Sequence, residues 1–332
     1  MKLHKRLLPF LSGAIALIIA LSACGGGSAG SQPTQAPSVQ PTPAAPQYTQ
    51  DFKTNTKAID DLKQPCDQQG TLAFLEYETP AYAYDESVTL TKKVNIYLPY
   101  GYDESKDYNI VYLMHGGGEN EDYWLVDQRF GQITCNVLDH MIQDGVCDPV
   151  IIVCPSYNVE GFTGEGEMNE ELTSVFAKEL RNNVIPAVEA VYPTYAKKDV
   201  SEANLIATRD HRAFAGFSMG SITTIHSAIM QNLDLFSYFG SYSGAKTDLD
   251  EFLTAVNSDQ FKDYPIKFWF NGNGKGDISV EEHDEFAHGA LEALSGRLTD
   301  GENFAWINMR DGTHSYGSWI VDLYNSLLVF FK

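Results

Sequence analysis

The sequence predicts an α/β fold, with a mostly parallel central sheet and helices on both faces of that sheet. Short, nearly continuous apolar runs recur from residue 109 onwards, as expected of parallel strands that are buried on both faces. Segments with the apolar spacing of helices separate these runs. Strands that alternate with helices favour right-handed crossovers and therefore parallel pairing.

Two kinds of strand are predicted. The segments 71–80 and 88–99 come first and are interpreted as antiparallel strands at the start of the sheet, because the second alternates apolar and polar residues. Six shorter apolar runs predict the remaining strands, at 109–116, 149–156, 211–218, 238–244, 265–272 and 303–309.

Helical apolar spacing predicts helices at 170–191, 219–231, 280–298 and 316–331. Pro186 should kink or interrupt the first of them, because proline removes a helical hydrogen bond. The last helix is too short to span a bilayer, so we expect it to pack on the sheet.

The N-terminal region indicates export. Residues 1–24 combine Lys2, Lys5 and Arg6 with an apolar run at 7–21, which is typical of a signal peptide. The sequence LSAC at 21–24 resembles a bacterial lipobox, in which the cysteine, here Cys24, is lipidated. The alternative is an ordinary signal with a chance cysteine. With lipidation, the protein would be anchored to the bacterial membrane and face outside the cytoplasm.

Residues 25–48 are rich in Gly, Ser, Pro, Thr and Gln, and carry almost no large apolar side chains. Such a segment cannot bury enough surface to order itself, so we predict a disordered tether. Residues 49–332 have the composition of a globular protein and are predicted to form a single domain.

The formal net charge of −21 argues against binding to nucleic acid or to anionic lipid headgroups. Any contact with a membrane would therefore come only through the lipid anchor. Four cysteines follow the lipobox, and their spacing does not resemble a zinc site. Cys135 and Cys154 lie in apolar segments and are interpreted as core residues. Export permits disulfides, and the sequence leaves open the pairing of Cys66, Cys135, Cys147 and Cys154.

The pentapeptide GFSMG at 216–220 fits the pattern G-x-S-x-G. It follows a predicted strand and precedes a predicted helix, which is the setting of the nucleophile elbow of the α/β-hydrolase fold. A sharp strand-to-helix turn needs small residues around the serine. Ser218 is therefore the candidate nucleophile.

The sequence HGGG at 115–118 ends an early strand. In this fold a turn of that kind supplies one N–H of the oxyanion hole, and the residue after the nucleophile supplies the other. We expect the backbone N–H groups of Gly117 and Met219 to form the hole, with Gly116 as an alternative to Gly117.

The catalytic base should follow the nucleophile in the chain. His314 lies in a loop directly after the last predicted strand, where a base can reach Ser218. His226 falls inside a helix. His283 and His288 lie in a charged helical segment that is interpreted as a solvated face, and their spacing argues against a metal site.

The catalytic acid should lie between the serine and the base. Asp277 follows the strand 265–272 in a Gly-rich loop, where a carboxylate can orient the imidazole. Asp248 and Asp250 are the alternatives, since they precede a possible helix start.

Three segments together resemble carbohydrate esterase family one, the feruloyl and acetylxylan esterases of the esterase D-like α/β-hydrolases. They are residues 92–124 (KKVNIYLP to EDYW), 211–224 (HRAFAGFSMGSITT) and 312–320 (GTHSYGSWI). The resemblance implies a Ser218–Asp277–His314 triad, no metal or organic cofactor, and esters of plant cell-wall polysaccharide as substrates. Ser221 replaces a glycine that is usual in the family, and the acid loop GNGKGD is longer than the family's G-T-x-D.

The resemblance favours removal of feruloyl groups from a polysaccharide such as arabinoxylan by an acyl-enzyme mechanism. An acetylxylan esterase and a catalytically silent, glycan-binding surface lipoprotein are the alternatives. Tyr123, Trp124 and Trp319 are candidate aromatic walls for a feruloyl ring or a sugar, with burial in the core as the competing interpretation.

Overall fold

A computed structural model describes residues 49–159 and 170–332 of the protein. The predicted signal peptide, the lipidation site at Cys24 and the tether at 25–48 lie outside the described residues. The residues described belong to one compact unit.

The described residues form one eight-stranded sheet, and its strands agree with the predicted segments. The strands are β1 (Thr71–Ala81), β2 (Asp85–Leu98), β3 (Asn109–Met114), β4 (Val150–Cys154), β5 (Arg212–Phe217), β6 (Tyr238–Tyr242), β7 (Phe268–Gly274) and β8 (Phe304–Met309). Their spatial order is β1-β2-β4-β3-β5-β6-β7-β8. The pairs β1/β2 and β2/β4 are antiparallel, and every other pair is parallel. The predicted antiparallel start of a mostly parallel sheet is confirmed.

Both faces of the sheet are buried, which explains the continuous apolar runs. Along β3, Ile110 and Tyr112 pack into the hydrophobic core on one face, whereas Val111 and Leu113 pack into the core on the other. Side chains alternate between the faces of a strand, so a strand covered on both sides must be apolar throughout. The predicted class of α/β fold with helices on both faces is confirmed.

The helices are α1 (Gly131–Gln143), α2 (Leu172–Glu179), α3 (Ile185–Val191), α4 (Glu202–Ala207), α5 (Met219–Thr223), α6 (Met230–Asn232), α7 (Leu249–Val256), α8 (Val280–Ala293) and α9 (Tyr316–Leu327). Helices α1 and α9 cover one face of the sheet, and α2, α3, α7 and α8 pack on the other. The predicted helix at 170–191 is interrupted by a π-helical turn at Leu180–Val184, directly before the first turn of α3 that carries Pro186. The interruption was expected, because the proline ring and its missing N–H break the regular hydrogen-bond ladder.

None of the helices in the described part of the chain is long and apolar enough to cross a membrane. Helix α9 packs on the sheet, as predicted, with Ile320, Val321 and Leu323 fully buried. The four cysteines at 66, 135, 147 and 154 are unpaired, and Cys135 and Cys154 lie in the core as expected.

Candidate active site

Ser218 occupies the turn between β5 and α5, in the geometry that the motif predicted. Its backbone has φ 53° and ψ −120°, in the left-handed half of conformational space that side chains rarely adopt. A hydrogen bond of 2.8 Å from its N–H to the Tyr242 carbonyl fixes the turn against β6. This strained turn exposes the serine hydroxyl above the carboxyl end of the sheet.

Two glycines make the turn possible by allowing backbones to approach. A Cβ atom at Gly216 would lie 2.7 Å from the carbonyl oxygen of Gly220 and 2.9 Å from that of Met114. A Cβ atom at Gly220 would lie only 2.5 Å from the His115 carbonyl oxygen. The elbow therefore packs directly on the end of β3 and on the turn that follows it.

His314 follows β8 and reaches the serine. Its Nε2 lies 3.0 Å from Ser218 Oγ, and its Nδ1 lies 2.9 Å from Asp277 Oδ1. The structure thus brings together the three residues predicted as a triad, with the base between nucleophile and acid. In this order the serine hydroxyl can give its proton to Nε2 while the carboxylate holds the proton on Nδ1.

Asp277 is the buried end of this chain of hydrogen bonds. Its Oδ1 also accepts hydrogen bonds from the N–H and the hydroxyl of Ser279, at 2.9 and 2.8 Å. Burial raises the pKa of this carboxyl, but hydrogen bonds from His314 and Ser279, together with the nearby Ser243 hydroxyl, outweigh burial and lower the pKa to about 2. Asp277 is therefore a carboxylate at any pH at which the protein would work.

The loops that carry the acid and the base are joined backbone to backbone. A Cβ atom at Gly274 would lie 2.2 Å from the carbonyl carbon of Gly312, and the Gly276 N–H donates a 2.9 Å hydrogen bond to the Gly312 carbonyl. This contact positions the longer GNGKGD loop so that Asp277 still meets His314. The alternative acid Asp248 instead caps α7, where it accepts a 2.9 Å hydrogen bond from the Glu251 N–H. Asp250 lies on the exposed surface of that helix.

Gly117 and Met219, the two residues predicted to form the oxyanion hole, both line the cleft above Ser218. Met219 is the first residue of α5, and N–H groups at a helix start have no partner within the helix. Gly117 lines the cleft above Ser218, whereas the alternative Gly116 is buried beneath it. The geometry thus favours the pair Gly117 and Met219.

Ser221, where a glycine is usual in the resembling family, is accommodated behind the elbow. Its side chain is fully buried, and its hydroxyl donates a hydrogen bond to the Gly244 carbonyl. Ser221 therefore ties α5 to the segment after β6, and its side chain does not line the cleft.

A cleft of about 460 Å³ opens above Ser218. One part of its wall is apolar, and four acidic or basic side chains besides His314 lie around it. The apolar residues are Phe217, Met219, Ile222, Ile278 and Trp319. The charged residues are Glu119, Glu170, Lys246 and Glu282. No sequence pattern marks a further group of lining residues as part of the cleft, because they come from separate segments that share no motif: Glu119, Glu170, Lys246, Ile278 and Glu282.

The three aromatic residues that were predicted to line the substrate site do not all lie in the cleft. Trp319 lines the cleft and stacks on Phe217, with ring centroids 3.9 Å apart. The prediction for Tyr123 and Trp124 has to be corrected, because both side chains are buried in the core and neither lines the cleft. The Trp124 indole N–H donates a 3.0 Å hydrogen bond to the Met114 carbonyl oxygen.

The interpretation of His283 as part of a solvated helix face is wrong. His283 is fully buried, and its Nδ1 accepts a 3.2 Å hydrogen bond from the Gly244 N–H, while its Nε2 lies 3.2 Å from Asn271 Oδ1. Burial lowers the pKa of His283 to about 3, so its ring is neutral and structural. His288 is exposed, as expected. In the ranges 49–159 and 170–332, no group of three or more His, Cys, Asp or Glu side chains is arranged to hold a metal ion.

Comparison with known families gives one match that covers most of the chain. Residues 87–330 match the model of the Esterase family. This span contains the elbow, the turn at 115–118 and both loops that carry Asp277 and His314.

Two curated relatives are named as a xylanase and as a xylanase/feruloyl esterase. An endo-1,4-β-xylanase Y of Acetivibrio thermocellus is 41% identical over 56% of this chain, and an endo-1,4-β-xylanase/feruloyl esterase of Xylanibacter ruminicola is 28% identical over 71%. The chain spans only 15% and 29% of the length of these two curated relatives.

A solved structure matches at full domain length. It is a mutant of the feruloyl esterase module from Clostridium thermocellum in complex with sinapinate, and it is 30% identical, with a TM-score of 0.69. The match covers 86% of this chain and 96% of the module.

Proposed function

Because the chain belongs to the Esterase family and is a serine esterase, we propose that it releases feruloyl and related hydroxycinnamoyl groups from plant cell-wall polysaccharide such as arabinoxylan. One observation carries the proposal. The Ser218 hydroxyl, hydrogen-bonded at 3.0 Å to His314, lies at the base of a cleft with an apolar wall. Such a wall suits an aromatic acyl group next to the ester.

In the proposed mechanism, His314 takes the proton of Ser218 as Oγ attacks the ester carbonyl carbon. The resulting oxyanion accepts hydrogen bonds from the N–H groups of Gly117 and Met219, each contributing about 3 kcal/mol to the transition state. The intermediate then collapses, the C–O bond to the sugar breaks, and His314 protonates the departing sugar oxygen. Water, deprotonated by the same imidazole, hydrolyses the acyl-enzyme and restores the serine.

Two features favour a hydroxycinnamoyl group over acetyl. The cleft volume of about 460 Å³ is far larger than an acetyl group requires, and Ile222, Ile278 and Trp319 offer apolar surface to a ring. The related module was solved with sinapinate, and one relative is named both as a xylanase and as a feruloyl esterase. These names support a polysaccharide context for the substrate. Cleavage of acetyl esters is therefore the comparison that tests this preference.

We further propose that the protein is exported and anchored through lipid on Cys24. This proposal rests on the signal-like residues 1–24, the lipobox LSAC and the tether composition of 25–48. Labelling of expressing cells with radioactive palmitate should mark the wild-type protein and leave Cys24→Ala unlabelled. Equal labelling of both would refute lipidation at this position.

The substrate proposal is tested with a panel of esters. We expect purified protein to cleave methyl ferulate and a feruloylated arabinoxylan oligosaccharide with a higher kcat/KM than an acetylated xylo-oligosaccharide. A preference for the acetylated oligosaccharide would make the protein an acetylxylan esterase. Cleavage of neither class, nor of a small aryl acetate, would favour a role in glycan binding.

A further inference from the structure

The turn after β3 is held by two hydrogen bonds that converge on one carbonyl. The Tyr157 hydroxyl donates to the Gly116 carbonyl oxygen at 2.7 Å, and His115 Nδ1 lies 2.7 Å from the same oxygen. Both side chains are buried, and their rings are in contact, with centroids 4.6 Å apart. Neither side chain lines the cleft.

The orientation of this carbonyl fixes the direction of the neighbouring N–H. The peptide between Gly116 and Gly117 is planar and trans, so its C=O and N–H bonds point in opposite directions. Two donors hold the Gly116 oxygen on the buried side of the turn. The Gly117 N–H must then point away from that side, and Gly117 lines the cleft above Ser218.

The hydrogen-bond partners of His115 permit only one tautomer of its ring. A carbonyl oxygen only accepts hydrogen bonds, so Nδ1 must carry the proton, and Nε2 must accept the 2.8 Å hydrogen bond from the Ser156 hydroxyl. The Ser156 oxygen in turn accepts from the Asn158 N–H at 3.1 Å. Burial lowers the pKa of His115 to about 4, which keeps the ring neutral and able to play both roles.

The turn needs such support because of its composition. Three consecutive glycines at 116–118 impose little preference of their own, and a glycine peptide can rotate with little steric cost. Rotation of the peptide 116–117 by a half turn would aim a carbonyl, and not an N–H, at the developing negative charge. Glycine is nevertheless required at 116, since a Cβ atom there would lie 2.4 Å from the Phe217 ring.

We propose that Tyr157 and His115 are positioning residues that hold the Gly117 N–H in the oxyanion hole. The inference rests on the proposed function, since it assigns these side chains a role in the rate of ester cleavage. It predicts effects on the transition state and little effect on substrate binding, because neither residue touches the cleft.

The test compares Tyr157→Phe with Tyr316→Phe in hydrolysis of methyl ferulate. Tyr316 is the matched control, since it is also buried and its hydroxyl makes a 2.9 Å hydrogen bond to Thr134 Oγ1 away from the cleft. We expect Tyr157→Phe to lower kcat by about 5-fold with KM unchanged, the factor that corresponds to one neutral hydrogen bond. Tyr316→Phe should keep the wild-type kcat.

Substitutions at His115 provide a second measurement. His115→Asn keeps a donor near the place of Nδ1 and should retain most of kcat, whereas His115→Leu removes the donor and should lower kcat by about 10-fold or more. Binding of an arylboronic acid, which forms a tetrahedral adduct with the serine, should weaken in Tyr157→Phe and His115→Leu by the same factors as kcat.

The outcomes separate the inference from the function on which it rests. Wild-type protein that cleaves methyl ferulate, together with a Tyr157→Phe variant of equal kcat and equal boronate affinity, would overturn the inference and leave the function intact. A rise in KM without loss of kcat would also overturn it. Wild-type protein that cleaves no ester would overturn the function itself.

Discussion

The indole N–H of Trp319 donates a 2.9 Å hydrogen bond to the hydroxyl of Ser243. Ser243 follows β6 with φ 58°, and its hydroxyl lies beside the carboxyl of Asp277. The same indole stacks on Phe217, next to the nucleophile. Trp319 therefore links the apolar wall of the cleft to the acid of the proposed triad.

The hydrogen bond between Trp319 and Ser243 predicts that substitutions at these two residues have coupled effects on the free energy of unfolding. Ser243→Ala should lower the free energy of unfolding in both backgrounds, but by about 1 kcal/mol less in a Trp319→Phe background, where the indole donor is gone and only the contact of Ser243 with Asp277 remains. A double-mutant cycle by urea denaturation measures the difference. Equal losses in both backgrounds would show that the hydrogen bond contributes nothing.

Asp277 is expected to orient His314. Asp277→Asn should lower kcat on methyl ferulate by roughly 10³ to 10⁴-fold, because the amide no longer holds the proton on Nδ1. Asp248→Ala serves as the control. That variant should lose about 1 kcal/mol of stability with its helix cap and keep its activity. The opposite pattern of activities would assign the acid to Asp248.

A buried ion pair beneath the sheet is expected to matter for stability. Arg212 and Glu189 are almost fully buried, with Arg212 Nε 2.6 Å from Glu189 Oε1. Glu189→Gln would leave the guanidinium without its counter-charge and should cost about 3–5 kcal/mol of unfolding free energy. Glu86→Gln, which breaks the exposed pair with Lys178, should leave the denaturation midpoint unchanged. Similar small changes in both variants would contradict this expectation.

Asp322 carries a buried carboxyl on α9. Neither of its oxygens has a hydrogen-bond partner among the described residues, and a Cβ atom at Gly272 would lie 2.1 Å from its Oδ1. Burial, and then the charge of Asp277, raise the pKa of Asp322 well above its ordinary value. The folded protein therefore keeps a proton that the unfolded chain releases above about pH 4.

A carboxyl with a raised pKa destabilises the folded state as the pH rises. Stability of the wild type should fall relative to Asp322→Asn by up to about 1.4 kcal/mol per pH unit above pH 4. The two proteins should have similar free energies of unfolding at pH 4 and diverge towards pH 7, in urea titrations at each pH. A difference that does not change with pH would show that Asp322 is ionised in the folded protein.

The predictable parts of the site are those encoded by neighbouring residues. Ser218 could be located because the strand, the small residues and the helix of the elbow are adjacent in the chain. The position of His314 follows from its place after the last strand. Asp277 was harder, since its position depends on the contact between Gly274 and Gly312, 38 residues apart in the chain, which no local pattern reveals.

The wrong predictions for Trp124 and His283 have the same physical cause. Whether Trp124 or His283 is buried depends on what packs against it from distant segments: the end of β3 for Trp124, and Asn271 with Gly244 for His283. A large aromatic residue and a histidine in a charged helix carry no sequence signal that separates core from cleft or from solvent. The support of the Gly116 carbonyl by Tyr157 was missed for the same reason.

The most direct test asks whether Ser218 is the nucleophile. Protein treated with diethyl 4-nitrophenyl phosphate is digested, and mass spectrometry locates the phosphorylated residue, while methyl ferulate hydrolysis is followed in the same samples. We expect the label on the peptide that contains Ser218, with loss of activity in proportion to labelling, and neither label nor hydrolysis in Ser218→Ala. Hydrolysis of methyl ferulate that persists in Ser218→Ala, or inactivation with the label on another residue, would contradict the account.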